Sequence, residues 1–502
     1  MNQRFLWIEA VNFDATIYDT NDLSVIRAGS LILGDLGDVA QGALETLAQA
    51  REGLGFDLEF AGASQARFRL TGDGDDCDAA LAAVQAALSR GVWAHMSIVA
   101  GLGDTPEQAI AGALSRRFRT WTMPAWQERP SDTFDALDKV RPATKKDGLK
   151  GLLSESTSAR LNQGRRRRET FLTERAGERL TQAGLRDRDD GDPGALKLCA
   201  SFEDMVLGRG GKTCTSPESA LGKICLLHLD GDGFGKAARA AEKAGRLREF
   251  SDRLETTMEA GLARIIDAAV DSEALEAPEG ARRLRLEILV WGGDDITLAL
   301  PATRLLPTLT AFHAAIDGLE FDGAPLGFTG GAIIANYKSP VRKLVALAET
   351  AVHTLKAGDA RGCFTVDVFE SADVPESDLA GLRANIFGEE ARAPGAFAFR
   401  LSEASALIDS LRKWKGGAGD AFPSRSKTFD LLARDGGAAD DETIDTLLLD
   451  YHERLGGAMQ EGGRFLPPGP MGRSRMLELK LGMMLWDYVG PDLPGDAVEA
   501  AA

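Results

Sequence analysis

Two acidic motifs contain the residues of this chain best suited to catalysis. One is Asp230 to Lys236, a DGDGFGK segment that directly follows the apolar run Ile224 to Leu229. The other is Gly292 to Asp295, a GGDD segment between two further apolar runs. Mg²⁺ prefers carboxylate oxygens, and a pair of divalent ions can activate an attacking 3′-oxygen and stabilise a leaving pyrophosphate. The motifs therefore predict a two-metal site for Mg²⁺ or Mn²⁺, with the catalytic ligands Asp230, Asp294 and Asp295.

Glycines and a lysine predict where a nucleoside triphosphate binds. Glycine has no Cβ, so a base or phosphate can approach its backbone closely, and free N–H groups at a helix start can hold phosphate oxygens. Lys356 ends a predicted helix and is either a triphosphate ligand or a plain surface lysine, and Asp232 is interpreted as a helper or a helix N-cap. The expected nucleotide-binding residues are Gly231, Asp232, Gly233, Phe234, Gly235, Lys236, Gly292, Gly293 and Lys356.

Each motif has an alternative interpretation when it is taken alone. A GGDD segment can be an ordinary hairpin turn, and DGDG imitates a calcium loop without the ligand spacing of an EF-hand. Gly208 to Thr213 resembles a phosphate loop, but Val206 stands where that loop needs a glycine. His228, on the apolar run before Asp230, is interpreted as a buried core histidine. The two acidic motifs together, in this order, favour catalysis.

The motifs lie at strand ends within a β-α-β-β-α-β pattern that occurs twice, which is the order of a ferredoxin-like palm. The predicted fold class is α+β, with two ferredoxin-like palm domains, a helical insert and a helical C-terminal domain. In the first palm we expect strands at 5–11, 56–60, 66–70 and 96–100, with helices at 29–50, 77–89 and 106–118. In the second we expect strands at 224–229, 285–290, 296–300 and 326–335, with helices near 247–265, 305–316 and 340–355.

Composition predicts four parts. They are a degenerate palm at 1–124, a charged helical insert without strand signals at 125–199, the catalytic palm at 200–395 and a helical domain at 396–502. In the insert, Arg165 to Arg168 is either a solvated helix face or a contact for phosphate or RNA. In the last part, apolar residues at helical spacing predict a packing stripe, namely Met476, Leu479, Met483 and Trp486.

Bulk composition excludes several other classes. With 58 Lys and Arg against 76 Asp and Glu, the formal net charge is -18, which disfavours a non-specific nucleic-acid coat because such binding needs dense cationic contacts. The five cysteines form no CxxC pair, so no zinc site is expected and free thiols fit a reducing cytoplasm. No apolar run reaches the roughly 18 residues of a membrane span. We therefore expect a cytoplasmic protein without membrane contact.

The second unit resembles the palm of the large polymerase/cyclase subunit of type III CRISPR effector complexes. That family has a strand ending in DGDxMGK, matched here from Asp230 to Lys236 with Phe234 in place of methionine, and a GGDD hairpin. Its later small-residue strand and Lys-x-Pro turn are matched by Phe328 to Ala332 and Lys338 to Pro340, before the helix that ends at Lys356. GGDEF diguanylate cyclases share the plan more distantly.

The first unit resembles the N-terminal palm of the same family. Thr20 to Leu23 followed by Ala28 to Leu33 is similar to its DLWxGSxLL stretch. Ala61 to Ser64 stands where a catalytic hairpin would carry acids, so this palm is expected to be non-catalytic and to serve as an acceptor site beside the donor site of the second palm. The family's HD nuclease domain and its zinc-binding cysteine pairs are not expected in this chain.

The resemblance implies synthesis of cyclic oligoadenylate-type messengers from ATP in anti-phage defence, with RNA or other effector-complex subunits as partners. Two alternatives remain open at this point. One is a catalytically silent scaffold that binds nucleotide or RNA, and the other is a GGDEF-like cyclase that uses GTP. A free-standing relative that makes a different cyclic nucleotide is also compatible with the sequence.

Overall fold

A computed structural model of the chain divides into two compact units, which are described separately. The first contains Met1–Glu174, Gly235–Met258 and Ile288–Asp295, and the second contains Arg175–Phe234, Glu259–Glu287 and Ile296–Ala502. The residues that the structure describes are 2–11, 16–62, 64–117, 133–182, 185–186, 196–199, 201–207, 220–276, 283–370, 378–416, 425–434, 446 and 465–489. The phosphate-loop-like segment at 208–213 lies outside them.

The first unit contains a four-stranded sheet with the predicted ferredoxin-like order. Its strands are arranged β2-β3-β1-β4, and β1 pairs antiparallel with both β3 and β4. The α+β palm fold expected from the sequence is therefore confirmed. The elements are β1 (Asn2–Ala10), α1 (Leu23–Gly34), α2 (Leu36–Ala50), β2 (Gly55–Gly62), β3 (Gln65–Gly72), α3 (Gly74–Ala87), β4 (Ile98–Gly103) and α4 (Pro106–Arg117).

One predicted helix is two helices. The span 29–50 was expected to be continuous, but α1 begins earlier, at Leu23, because the Asp22 carboxylate accepts hydrogen bonds from the backbone N–H groups of Ser24 and Val25 at 3.0 and 3.2 Å. The break falls at Asp35, which separates α1 from α2. Asp35 is also bound by Arg167 of the following insert, so a tertiary contact stabilises the break.

The insert contains short strands in addition to its helix, so the expectation that strands are absent there is wrong. The β5–β6 hairpin pairs Lys145 with Leu153, and its turn is closed by the Asp147 carboxylate, which accepts from the N–H groups of Leu149 and Lys150. The elements of the insert are β5 (Lys145–Asp147), β6 (Gly151–Leu153), α5 (Glu155–Gln182), β7 (Leu185–Arg186) and β8 (Leu196–Leu198), and α6 (Phe202–Leu207) follows it.

The arginine run of α5 is used for intramolecular ion pairs. Arg165 donates to Asp147 at 2.8 Å, and Arg167 donates to both carboxylate oxygens of Asp35 at 2.5 and 2.9 Å. Arg167 also donates to the carbonyl oxygen of Leu31. Two of the four arginines therefore attach α5 to neighbouring elements of the first unit, which neither of the two sequence interpretations had included.

The second palm contains a six-stranded sheet, with the strands in the order β11-β12-β9-β15-β16-β17. Its first four strands repeat the ferredoxin-like order, and β16 and β17 extend it by pairing parallel and antiparallel, respectively. The elements are β9 (Lys223–Asp232), α7 (Phe234–Lys243), α8 (Leu247–Glu276), β10 (Arg283–Leu284), β11 (Glu287–Gly292), β12 (Asp295–Pro301), α9 (Leu305–Ile316), β13 (Glu320–Phe321), β14 (Ala324–Pro325), β15 (Gly327–Asn336), α10 (Val341–Ala357), β16 (Cys363–Val368), α11 (Leu379–Phe387) and β17 (Ala398–Arg400).

After β17, the described residues include the helices α12 (Ala404–Gly416), α13 (Arg425–Arg434) and α14 (Arg475–Leu485). The predicted stripe is a packing surface: Met476 and Leu479 are buried, and Trp486 meets Trp414 edge to face at 5.5 Å. Trp414 in turn stacks on Phe465 at 5.6 Å. In the described part of the chain, no helix combines the length and apolar character needed to cross a membrane.

Candidate active site

The first acidic motif is held by a long, buried strand pair. β9 pairs antiparallel with β15 over ten positions, from Asp232 opposite Gly327 to Lys223 opposite Asn336. Asp230 lies opposite Thr329 in this register. The apolar residues of β9 that precede the motif are almost fully buried, so burial of the strand fixes where its acidic end emerges.

Asp232 is the best-anchored acid of the motif. Its Oδ2 accepts from the Thr329 hydroxyl at 2.7 Å and from the backbone N–H of Gly362 at 2.9 Å. Its Oδ1 lies 3.2 Å from Nζ of Lys356 and 3.7 Å from Nε of Arg361. The side chain is only 10% exposed. The N-cap interpretation of Asp232 is wrong, because α7 begins only at Phe234 and the carboxylate binds Thr329 of β15 and Gly362, which directly precedes Cys363. Asp232 is instead an anchor inside the sheet.

Lys356 is held by the same strand end. Its ammonium donates to Oδ2 of Asp230 at 2.7 Å, to the Asp230 carbonyl at 3.1 Å and to the Gly231 carbonyl at 2.7 Å. Lys356 lies in the last turn of α10 and its side chain is 18% exposed. It is therefore no plain surface lysine, and it neutralises part of the charge of Asp230 and Asp232. A contact with triphosphate stays a prediction.

The strand-to-helix junction at Gly233 exposes backbone and buries the aromatic side chain. Gly233 has φ +86°, a conformation that favours glycine, and it connects β9 to α7. Phe234 is buried and packs against Phe328 with ring centroids 5.2 Å apart, so only its backbone is available to a nucleotide. Gly235 and Lys236 are exposed in the first turn of α7. The N–H groups of a first helical turn have no acceptor within the helix and can bind an anion.

The second acidic motif forms the predicted hairpin turn. Gly292 ends β11, Gly293 has φ +60° in the turn, and Asp295 begins β12. A Cβ added to Gly293 would meet nothing within 4 Å, so the space beside the turn is open. Asp294 and Asp295 are partly exposed. In the sheet, β12 is the neighbour of β9.

The donor atoms of these motifs fit a hard divalent cation in their chemistry. All of them are carboxylate or carbonyl oxygens, and the Asp230 side chain is 41% exposed and therefore open to an ion. Within the described ranges, the structure does not gather three or more Asp, Glu, His or Cys side chains into one cation site. The Lys356 ammonium instead provides a positive charge for Asp230. The metal-ligand roles of Asp230, Asp294 and Asp295 remain predictions.

His228 is a core residue, as the sequence indicated. Its Nδ1 lies 3.1 Å from the hydroxyl of Thr297, and both side chains are buried. Burial lowers the pKa of His228 to about 4; Asp230 opposes this shift and Lys356 adds to it. A neutral imidazole with a hydroxyl partner supports the strand and carries no positive charge near neutral pH.

The first palm lacks acids where the second has GGDD. Ala61 and Gly62 end β2 and Ser64 precedes β3, while Ala63 lies outside the described residues. Sequence reasoning missed the groups that position Asp232. Thr329 lies in the small-residue strand that resembles the family, but only the β9–β15 register shows that it donates to Asp232. The hydrogen bond from Gly362 to Asp232 depends on the turn between α10 and β16, which no local pattern predicts.

Comparison with known proteins agrees with this geometry. Residues 223–365 match the family model described as Cas10/Cmr2, second palm domain. No curated protein matches the chain significantly. Among solved structures, the chain resembles a Csm1–Csm4 cassette in complex with cA3, with 12% identity and a TM-score of 0.54 over 97% of this chain and 70% of that one. Csm1 of T. onnurineus gives 12% identity and a TM-score of 0.53 over the same shares.

A third similar structure is a Csm1–Csm4 cassette in complex with pppApA, with 12% identity and a TM-score of 0.53 over 97% of this chain and 69% of that one. At these identities the structural likeness shows the fold. Two ferredoxin-like palms, one with a DGDGFGK strand end and a GGDD hairpin, define a two-palm α+β protein. The second palm of the chain is therefore similar to that of the Cas10/Cmr2 family, and the chain shares the fold of the Csm1 structures.

Proposed function

We propose that the chain is a nucleotidyltransferase that joins nucleoside triphosphates into a cyclic oligonucleotide messenger. The observation that carries the proposal is the pair of acidic motifs on adjacent strands of one palm sheet: β9 ends in the anchored DGD segment, and its neighbour β12 begins at Asp295 of GGDD. A first palm without the acidic hairpin accompanies it and would bind the acceptor nucleotide.

Strand direction supports convergence of the two motifs. β9 and β11 are joined by a helical crossover, and such connections place both strands in the same direction. The hairpin then reverses the chain, so β12 runs opposite to β9. The last residues of β9 and the first residues of β12 therefore lie at the same end of these two neighbouring strands. The shared end of the two strands favours joint metal binding by Asp230, Asp294 and Asp295.

The roles of the residues follow from their chemistry. A divalent metal pair, when bound, would activate the attacking 3′-oxygen and stabilise the negative charge on the leaving pyrophosphate. The first turn of α7, with Gly233, Gly235 and Lys236, would hold the triphosphate through backbone N–H groups and an ammonium. Gly292 and Gly293 would leave room for the nucleotide, since neither carries a Cβ.

The bond changes are those of nucleotidyl transfer. The 3′-oxygen of one nucleotide forms a new P–O bond to the α-phosphorus of another, the α–β P–O bond breaks, and pyrophosphate leaves with the electron pair. The hydroxyl proton passes to solvent. Repetition and a final intramolecular transfer close a ring.

ATP is the proposed substrate. The solved relatives are described as complexes with cA3, with cA4, with pppApA and with one ATP, all of them adenine compounds. The same relatives are found with a second protein, Csm4, so a comparable subunit is the proposed partner, and RNA is a further one. The proposal includes a cytoplasmic location, where ATP is available, and the division of the chain at residues 124, 199 and 395.

Incubation of the purified chain with each labelled nucleoside triphosphate and Mg²⁺ or Mn²⁺ tests the proposal. The variant Asp294→Ala/Asp295→Ala is run in parallel, and products are resolved by mass spectrometry with and without added RNA. We expect a cyclic adenylate product that the double variant does not form. A cyclic guanylate product would instead favour a GGDEF-like activity, and no product under any condition would favour a nucleotide-binding scaffold.

A further inference from the structure

The first compact unit contains a buried ion pair between its palm sheet and the helix that follows the DGDGFGK motif. Arg67 lies on β3 with only 5% of its surface exposed. Its Nη1 donates to the Glu242 carboxylate, and its Nε lies 2.9 Å from Oε2 of Glu59 on β2. Glu242 lies in the last turn of α7, one residue before its end at Lys243.

Burial explains why this contact constrains α7. A buried guanidinium is costly unless carboxylates pair with it, and removing one partner is strongly destabilising. Glu59 is already shared, because Arg69 approaches its other oxygen at 3.0 Å. Glu242 therefore supplies a carboxylate that is directed to Arg67, and the position of α7 is coupled to the position of Arg67 on the sheet.

The helix transmits this constraint to the nucleotide-binding turn. α7 has ten residues, about 15 Å of regular helix, with Glu242 near one end and Gly235 and Lys236 at the other. Next to α7, at the start of α8, Ser251 and Arg248 also contact backbone carbonyls of β2, both at 3.4 Å. The β2–β3 face of the first palm therefore contacts this helical segment at three points.

We propose that Arg67 is a positioning residue for nucleotide binding, acting through Glu242 on α7 and its first turn. The inference rests on the proposed function, since that turn is taken to hold the triphosphate. It assigns the first palm a mechanical role that is independent of any nucleotide bound to it: its β3 strand holds the helix that presents Gly235 and Lys236.

The test compares Arg67→Ala with Arg69→Ala, a matched control. Arg69 lies on the same strand and pairs with the same Glu59, but its side chain is 41% exposed and the structure gives it no contact with α7. Hydrogen–deuterium exchange of the 234–243 region is measured first, because it needs no catalysis. We expect at least fivefold faster exchange in Arg67→Ala and an unchanged rate in Arg69→Ala. Equal exchange in the two variants would overturn the proposal.

Kinetics then separates positioning from general destabilisation. In Arg67→Ala we expect the KM for ATP to rise about tenfold with kcat changed less than threefold, and in Glu242→Gln a similar rise. A double variant no worse than either single variant would show that the two residues act through each other, whereas multiplied effects would contradict this. Should Arg67→Ala fail to fold, Glu242→Gln carries both measurements, because Glu242 is the more exposed partner.

The two proposals fail in distinguishable ways. A wild-type chain without product but with faster exchange in Arg67→Ala would refute the cyclase activity and the nucleotide role of Arg67, while the mechanical contact stands. An active chain whose KM is the same in wild type and Arg67→Ala would refute the positioning role and leave the cyclase activity intact.

Discussion

Asp232→Asn should destabilise the second palm more than Asp230→Asn, although the two acids lie in one motif. Asp232 is 10% exposed, and its carboxylate accepts from Thr329 and Gly362 while facing the ammonium of Lys356. Asp230 is 41% exposed and shares only that ammonium. The substitution therefore removes a buried, doubly hydrogen-bonded and ion-paired charge in one case and a half-exposed, ion-paired charge in the other.

The magnitude follows from the contacts. An asparagine oxygen can still accept from Thr329 and Gly362, but each bond loses its charge assistance, roughly 0.5–1.5 kcal/mol for each bond. The new amide N–H₂ would also face the donor groups of Lys356 and Arg361. We expect a total cost of about 2–3 kcal/mol for Asp232→Asn, and about 0–1 kcal/mol for Asp230→Asn because solvent screens its ion pair. At roughly 2–4 °C per kcal/mol for a domain of this size, the Tm falls by about 5–10 °C in Asp232→Asn.

Differential scanning calorimetry of the two variants at pH 7.5 measures the difference. Thr329→Val is the control, because it removes one donor to Asp232 and should cost about 1 kcal/mol. In Asp232→Asn/Thr329→Val the two losses should not add, since both act on one hydrogen bond. Equal Tm values for Asp230→Asn and Asp232→Asn would refute the assignment of Asp232 as the anchor of the motif.

Three further results are expected. Gly331→Ala should lower the free energy of unfolding by more than about 2 kcal/mol, because an added Cβ would overlap a backbone carbonyl of α10. Gly327→Ala on the same strand is the control, since its Cβ would meet nothing within 4 Å, and equal urea midpoints for the two variants would contradict the prediction. Arg383→Met leaves the Asp367 carboxylate buried without its bidentate partner, so the free energy of unfolding should fall by about 3–5 kcal/mol. Stability should partly recover in Arg383→Met/Asp367→Val, and a Tm of Arg383→Met equal to that of the wild type would contradict the prediction. The folded-state pKa of His228 lies below that of an exposed histidine, so its contribution to stability is present above about pH 6.5 and is lost as the pH falls toward 4. His228→Gln should flatten this loss in a plot of Tm against pH, and parallel plots for the variant and the wild type would argue against the prediction.

The order of elements in both palms could be predicted because it depends on local signals. Apolar runs of strand length ended by glycine and aspartate, such as the one before Asp230, gave the strands of the second palm within a few residues of their observed bounds. The GGDD hairpin was predictable for the same reason, since Gly293 adopts the positive φ that such turns require.

What could not be predicted depends on contacts between distant residues. The break at Asp35 is bound by Arg167, 132 positions away, and no local pattern reveals that pairing. The same holds for Lys356, whose partner Asp230 lies 126 positions earlier. Strand β17 has three residues and begins at Ala398, where the sequence predicted a helical domain; its pairing with β16 defines it.

Mn²⁺ binding tests whether Asp230, Asp294 and Asp295 form a divalent-metal site for nucleotidyl transfer. Electron paramagnetic resonance titration is carried out with a non-reactive α,β-methylene ATP analogue present, on the wild type, on the triple Asp→Asn variant at these positions and on the exposed control Asp252→Asn. We expect tight Mn²⁺ binding in the wild type and the control, and its loss in the triple variant. Equal Mn²⁺ binding by all three proteins would contradict it.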